Sequence, residues 1–278
     1  PLLPQTSIQR PLSPLEVKRI QTEITQLNQQ AQTQLEEGKE IEAFRLWYRE
    51  LKLQRAIGKL AEIEALGRIG NIAWSNNLSS DLQNISERLV MLQQEIVETK
   101  KNNLQLLNSL GQSYQQVRDI DRAIAVYQQL LTKSQKDLNK QQNILETLGK
   151  LYLAKFDYQQ AADIYNQLLN LLANNNLDQS QALTTSKKQD YLEQLATIYD
   201  FSTEPNQAIL VKEQLAEYYL KNQAQLEQLA KLKISLAQDY QSLNKLKLAS
   251  QHYQEAASLA LSLQQFALAS EALQKLGQ

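Results

Sequence analysis

The sequence predicts an all-α fold, a solenoid of antiparallel helix pairs with about six pairs and a terminal helix. Three observations predict it. A small residue, Ala or Gly, recurs at positions 31, 70, 111, 149, 196, 237 and 277, at intervals of 39, 41, 38, 47, 41 and 40 residues. Self-similarity at such a period marks stacked helical repeats, because a single pair cannot cover its own apolar faces. Proline occurs only at positions 1, 4, 11, 14 and 205, so residues 15–204 hold none of the residue that breaks helices. Alternating β patterns and hairpin-turn dipeptides are absent, while leucines keep helical spacing through a chain rich in Gln and Asn.

The elements follow in order. Residues 1–17, with four prolines, read as an extended tail, and residues 18–278 as the repeat domain. In the first copy Leu27, Ala31, Gly38, Ala43 and Trp47 keep the frame, while Gln30 and Gln34 replace bulky residues. The second keeps Leu66, Ile69, Gly70 and Ala73, with Leu82 where Ala is expected. The third and fourth are the clearest: Leu107, Leu110, Gly111, Tyr114, Ala123 and Tyr127, then Leu145, Leu148, Gly149, Tyr152, Ala161 and Tyr165. Segment 174–189, polar and beginning Asn174-Asn175-Asn176, accounts for the long interval as a loop or an extended helix end. The fifth copy reads Leu192, Leu195, Ala196, Tyr199 and Ala208, with Pro205 in the turn between its helices. The sixth reads Leu236, Ala237, Tyr240, Ala249 and Tyr253. Residues 264–277, with Phe266, Leu268, Leu273 and Leu276, form the terminal helix.

The frame has a packing reason. Two helices approach closely only where both present small side chains, so the Ala or Gly of the first helix and the Ala of the second mark the crossing. The Leu, Tyr and Trp positions three or four residues away share those faces and fill the space around it. Gly67, Gly70, Gly111, Gly149 and Gly277 fall inside helices on this reading, and the cost of Gly there argues for close packing.

This small–aromatic–Ala–aromatic spacing resembles the tetratricopeptide repeat over roughly residues 24–278. The resemblance implies a right-handed superhelix whose first helices line a concave face that holds a protein or peptide. The copies are longer than the usual repeat of about 34 residues, similar in this to the extended repeats of kinesin light chains and peptide-sensing bacterial regulators. The proline usual near a repeat end is missing. The stretch Leu46-Trp47-Tyr48-Arg49-Glu50-Leu51 through Glu62 to Gly70 resembles repeat proteins of photosynthetic bacteria and plastids. That implies assembly of membrane complexes and peripheral membrane association.

The chemistry-bearing residues are few. His252 is the only histidine and there is no cysteine, which leaves no Ser/His or Cys/His nucleophile, no zinc site of His or Cys, and no disulfide. The glycines form no phosphate-binding loop. The expectation is therefore no enzyme, no metal and no cofactor. A net charge of −1 argues against a general nucleic-acid binder, and no apolar run is long enough to span a bilayer. No signal peptide is visible, and the chain begins with Pro1. The expectation is a soluble protein, cytoplasmic or exported, with a processed or trimmed start.

Surface positions carry the remaining expectation. On the geometry that the resemblance implies, the concave lining is Asn28, Gln32, Asn71, Trp74, Gln105, Asn108, Gln112, Gln115, Gln116, Asn143, Glu146, Lys150, Thr197 and Gln238. The candidates for partner binding are Asn71, Trp74, Asn108, Gln112, Gln115, Gln116, Asn143 and Lys150. Amides offer both donor and acceptor to an extended backbone, or stand there as the favoured surface residues of a chain rich in Gln and Asn. Trp74 falls one residue past its aromatic position, where it either anchors a partner in the groove or caps the junction between the first two repeats. Trp47 reads as core. Arg45, Arg49 and Lys52, with Arg55 and Lys59 nearby, form a cationic stripe that suits an acidic partner or stands as a solvated face beside Glu42 and Glu50. The terminal helix leaves an apolar side, read as a cap, as the seat of further repeats, or as a self-association face. The function expected is an interaction scaffold for a protein or peptide. The alternatives are a peptide-responsive sensor and, less favoured by charge, an RNA-binding repeat.

Overall fold

The computed structural model describes residues 11–98, 103–174, 181–221 and 225–277. Thirteen α-helices and no strand occur among the described residues. They are α1 (Pro14–Glu36), α2 (Glu40–Ile57), α3 (Lys59–Ser75), α4 (Ser79–Glu98), α5 (Leu104–Gln116), α6 (Ile120–Lys133) and α7 (Leu138–Ala154). Then follow α8 (Tyr158–Asn174), α9 (Gln181–Phe201), α10 (Pro205–Lys221), α11 (Leu226–Ser242), α12 (Leu246–Ser262) and α13 (Phe266–Leu276). Six of the seven small residues of the frame fall on the odd-numbered helices α1 to α11, and the expected six pairs and terminal helix are present among the described residues. The fold is an all-α array of helix pairs.

The chain forms two compact units, one ending at Lys136 and the other beginning at Asp137. In unit 1, α2 packs on α1 and α3, α3 packs on α4 and α5, and α5 packs on α4 and α6. In unit 2 each helix from α7 to α13 packs on the next, and α13 also touches α11.

Local sequence explains the helix starts. Ser13 and Glu16 form a capping box that starts α1 at Pro14, ahead of the boundary expected at residue 18. Residues 1–10 of the expected tail lie outside the described residues. Asn103, Asp119, Asp137 and Asp157 cap α5, α6, α7 and α8 by accepting a backbone N–H three residues on. Of segment 174–189, residues 181–189 belong to α9, and residues 175–180 are outside the described part. Gly277 is the C-cap of α13 rather than an internal helix residue, because the backbone N–H of Gly277 ends the helix on Leu273.

The pairs share a turn that residue types alone do not announce. Gly38, Asn77, Arg118, Phe156, Thr203 and Asn244 all have positive φ, between 56° and 75°. Each stands seven residues after the small residue of its copy. Each donates its N–H to the carbonyl three back, and the next residue donates to the carbonyl five back, as in Phe156 to Leu153 (3.0 Å) and Asp157 to Tyr152 (2.9 Å). This is the Schellman closure, which satisfies the last carbonyls of the first helix and reverses the chain. Only one of the six positions is Gly, although a side chain in the left-handed region costs about 1–2 kcal/mol.

The cores confirm the frame and refine its meaning. Ala31, Ala43, Ala73, Ala123, Ala161, Ala208, Ala237 and Ala249 are all buried, and so is Trp47. The expected meeting of small residue with small residue is not what the glycines serve. A Cβ on Gly111 would lie 2.9 Å from Cε2 of Tyr127, and one on Gly149 would lie 2.9 Å from Cε2 of Tyr165. The glycine makes room for the aromatic ring of the second helix, four residues beyond its buried Ala. A Cβ on Gly70 would lie 2.3 Å from Cγ1 of Val117, so this glycine sets the approach of α3 to α5.

Candidate partner-binding faces

α3 and α5 adjoin in unit 1 and carry most of the candidate residues. Asn71 and Trp74 are exposed on α3, and Trp74 shows 48% of its surface to solvent. Asn108, Gln112 and Gln116 are exposed on α5 at intervals of four, one row along one helix face. The seam beneath them is closed by Gly67 and Gly70. The oxygen of the Gln116 amide lies 2.1 Å from where a Gly67 Cβ would stand, so Gln116 rests on the α3 backbone. Ser113 donates its hydroxyl to the Ile63 carbonyl at 2.9 Å, tying the two helices together under the amides.

Two expected lining residues serve the interior instead. Gln115 is half-buried and donates to the Tyr127 hydroxyl at 2.8 Å. The hydroxyl of Tyr253 meets Gln241 at the same register in the last copy, so this amide–tyrosine pair belongs to repeat packing. Asn28 accepts from Trp47 Nε1 at 3.0 Å and from Arg68 Nη1 at 2.8 Å. Arg68 also reaches buried Glu50 at 2.5 Å. The amide of Asn28 thus joins α1, α2 and α3.

Asn143 and Lys150 are exposed on α7, in unit 2. Between them Glu146 is half-buried, accepting from Gln142 at 3.1 Å and from the Tyr191 hydroxyl at 2.5 Å. Arg45, Arg49 and Lys52 are exposed on α2, with Glu23 only 4.0 Å from Arg49. Lys59 departs from the stripe, because it pairs with Glu95 at 2.9 Å.

The charged groups inside the units are committed to one another. Arg88 holds Glu62 through two bonds, of 2.7 and 3.1 Å, and reaches Glu95 at 3.2 Å. Burial works against the Glu95 carboxylate, but Lys59 and Arg88 together hold its pKa below the usual range. In unit 2 Lys212 is buried and donates to Asp200 (2.5 Å), Ser235 (2.7 Å) and Asp239 (2.7 Å). Burial raises the pKa of Asp239 in spite of that ammonium. No group of three or more His, Cys, Asp or Glu that could hold a metal ion occurs among the described residues. No described helix is long and apolar enough to cross a membrane.

Sequence reading missed one exposed feature. Phe156, Tyr158 and Phe201 form an aromatic group in unit 2, with the Tyr158 and Phe201 rings stacked at 5.6 Å and the two phenylalanines largely exposed. Its members lie 45 residues apart in the chain, and the only local signal is a Phe at a turn position. On α13, Phe266 and Leu273 are exposed while Ala269 and Ala272 are buried.

Residues 106–141 match the family model described as tetratricopeptide repeat. That stretch is α5, α6 and the start of α7, where the frame is most regular. Among solved structures, the apo form of RapI is similar at 15% identity, covering 92% of this chain and 69% of that one, with a TM-score of 0.49. A putative kinesin light chain from Podosopora anserina with nearly identical TPR-like repeats gives 16% identity, 72% and 95% coverage, and a TM-score of 0.45. Aspartyl phosphate phosphatase F from Bacillus subtilis gives 11% identity, 94% and 71% coverage, and a TM-score of 0.45. A search of curated proteins finds no match.

Proposed function

We propose that this chain is a non-catalytic interaction scaffold and that the α3–α5 face of unit 1 holds a protein or an extended peptide. One observation carries the reading: an exposed tryptophan stands on α3, which packs on a helix whose outward row is Asn108, Gln112 and Gln116, while Ile63, Leu66, Ile69, Leu107 and Leu110 are buried. An exposed Trp supplies a large rigid apolar anchor, and primary amides supply donors and acceptors to a peptide backbone. Asn71 extends the same face. Asn143 and Lys150 on α7 offer unit 2 a comparable polar row, and Arg45, Arg49 and Lys52 offer an acidic partner a second contact. The finer reading, assistance in assembling a membrane complex from its surface, rests on the resemblance of residues 46–70 alone.

The test is affinity capture from detergent-solubilised extract of the native cell, with the chain and its Trp74→Ala/Gln112→Ala/Gln116→Ala variant as baits. All three side chains are exposed, so circular dichroism of the variant should match the parent. A partner that binds the parent and is retained roughly tenfold less by the variant supports the face. A partner kept equally by both sinks it and turns attention to α2 and α13.

A further inference from the structure

A cleft of about 540 Å³ opens in unit 2 among α10, α11 and α12, well away in sequence from the α3–α5 face. Its size is that of a ligand pocket. The floor is apolar, formed by Leu229, Leu236 and Leu259, and Leu220 stands at the edge with 68% of its surface exposed. Three carboxylates line the cleft, Glu213, Glu217 and Glu255, against one ammonium, Lys233. Lys233 is already engaged by Glu255 at 2.7 Å. The remaining negative charge belongs to Glu213 and Glu217, one turn apart on α10. Glu213 accepts one bond, from the Tyr240 hydroxyl at 2.5 Å, which leaves it further acceptor capacity.

The fifth polar group is His252. Its ring lies parallel to that of Tyr240 at 5.3 Å. Its Nδ1 is buried and has no hydrogen-bond partner. Glu255 is 3.7 Å away, too far for a hydrogen bond. Burial first, and Lys233 second, lower the imidazole pKa, so the ring is neutral near pH 7 and makes no ion pair with Glu255. A buried ring nitrogen without a partner is costly in a closed core. The ring itself lines the cleft, so its surroundings change with what enters.

We infer that this cleft binds the basic side chain, lysine or arginine, of a partner protein segment whose neighbouring apolar side chain covers Leu220. The charge selects the class. A cation there meets Glu213 and Glu217 without competing for an existing pair, and its methylenes lie along the leucine floor. Exposed Leu220 selects the source. A free diamine would leave that leucine in water, whereas a polypeptide brings a second side chain to cover it.

Since His252 is the only histidine in the chain, its imidazole Cε1–H resonance reports on this cleft alone. The probe is the blocked peptide Ac-Leu-Lys-Leu-NH₂, titrated into the full chain to about 10 mM, where a weak contact near 1 mM saturates. Its comparators are Ac-Leu-Glu-Leu-NH₂ and 1,5-diaminopentane. The expected result is a saturable shift with the lysine peptide and none with the glutamate peptide. Glu217→Gln should weaken the lysine peptide roughly three- to fivefold, the range of one exposed charge pair. Leu220→Ala should weaken the lysine peptide and leave the diamine unchanged. Both side chains are exposed, so both variants should keep the parent resonance before titration. No shift, or an equal shift with the glutamate peptide, overturns the inference. A diamine that binds as tightly as the lysine peptide overturns the protein source. None of these outcomes bears on the α3–α5 face, whose test reads different residues in the other unit.

Discussion

Unit 1 buries two carboxylates, Glu50 and Glu62, together with the guanidinium of Arg88, whereas unit 2 buries an ammonium, Lys212. The settings differ in what each cation holds. Arg88 holds Glu62, whose side chain is only 2% exposed, and also reaches Glu95. Lys212 is held by Asp239 and by Asp200, whose side chain is 44% exposed. A buried carboxylate that loses its cation has no route to water, while a carboxylate at the surface has one. The lesson is that the same stack of helix pairs tolerates buried charge in two ways, one rigid and one adjustable.

The largest expected effect breaks this contrast directly. Arg88→Met leaves Glu62 buried without its cation and should cost about 3–5 kcal/mol. Lys212→Met should cost about 1–3 kcal/mol, because Asp239, already raised in pKa, takes up a proton and Asp200 turns to water. Urea unfolding, with hydrogen exchange read helix by helix, checks both. Equal losses would show that the two settings do not differ.

The second contrast lies within the α3–α5 seam, between a glycine that meets one stiff side chain and a glycine that meets two. At Gly70 a Cβ would run into Val117 at 2.3 Å, so Gly70→Ala should cost about 1–3 kcal/mol. At Gly67 a Cβ would meet the flexible end of Gln116 at 2.1 Å, and also Oγ and Cβ of buried Ser113 at 2.6 and 2.9 Å. Gln116 can swing away, but Ser113 is held by its bond to the Ile63 carbonyl, so Gly67→Ala should also cost about 1–3 kcal/mol. It should alter partner retention as well if Gln116 contributes to the α3–α5 face. Thermal unfolding of both variants checks this, and a neutral Gly67→Ala would show that α5 can yield at Ser113.

The smallest effect lies in the turns. Gly38 in unit 1 has φ of 75°, and Thr203 in unit 2 has φ of 57° with a β-branched side chain. Thr203→Gly should gain about 1 kcal/mol, and Gly38→Ala should lose about 1 kcal/mol. A Thr203→Gly variant that melts at or below the parent temperature would show that the threonine is not strained.

The sequence by itself determined the helix pairs, their number and their inward faces. The period of Ala31, Gly70, Gly111, Gly149, Ala196 and Ala237 is local information repeated six times, and the aromatic and Ala positions follow it at helical spacing. The exposed positions of Trp74, Asn108, Gln112 and Gln116 were legible for the same reason, since a face is fixed once the buried stripe is known. The tertiary structure decided what each polar residue does there. Gln115 lies one position from Gln116 and looks no different in sequence, yet the Tyr127 hydroxyl takes it inward. Asn28 is drawn inside by Trp47, 19 residues away, and by Arg68, 40 residues away. The cleft at His252 gathers side chains from α10 to α12, and no short window contains them. Helix formation and amphipathic burial are set by neighbours three and four residues apart, while a hydrogen-bond partner or a cleft is set by which helices end up adjacent. Repetition writes the first kind of fact into the chain many times, and the second kind exists only once the helices have packed.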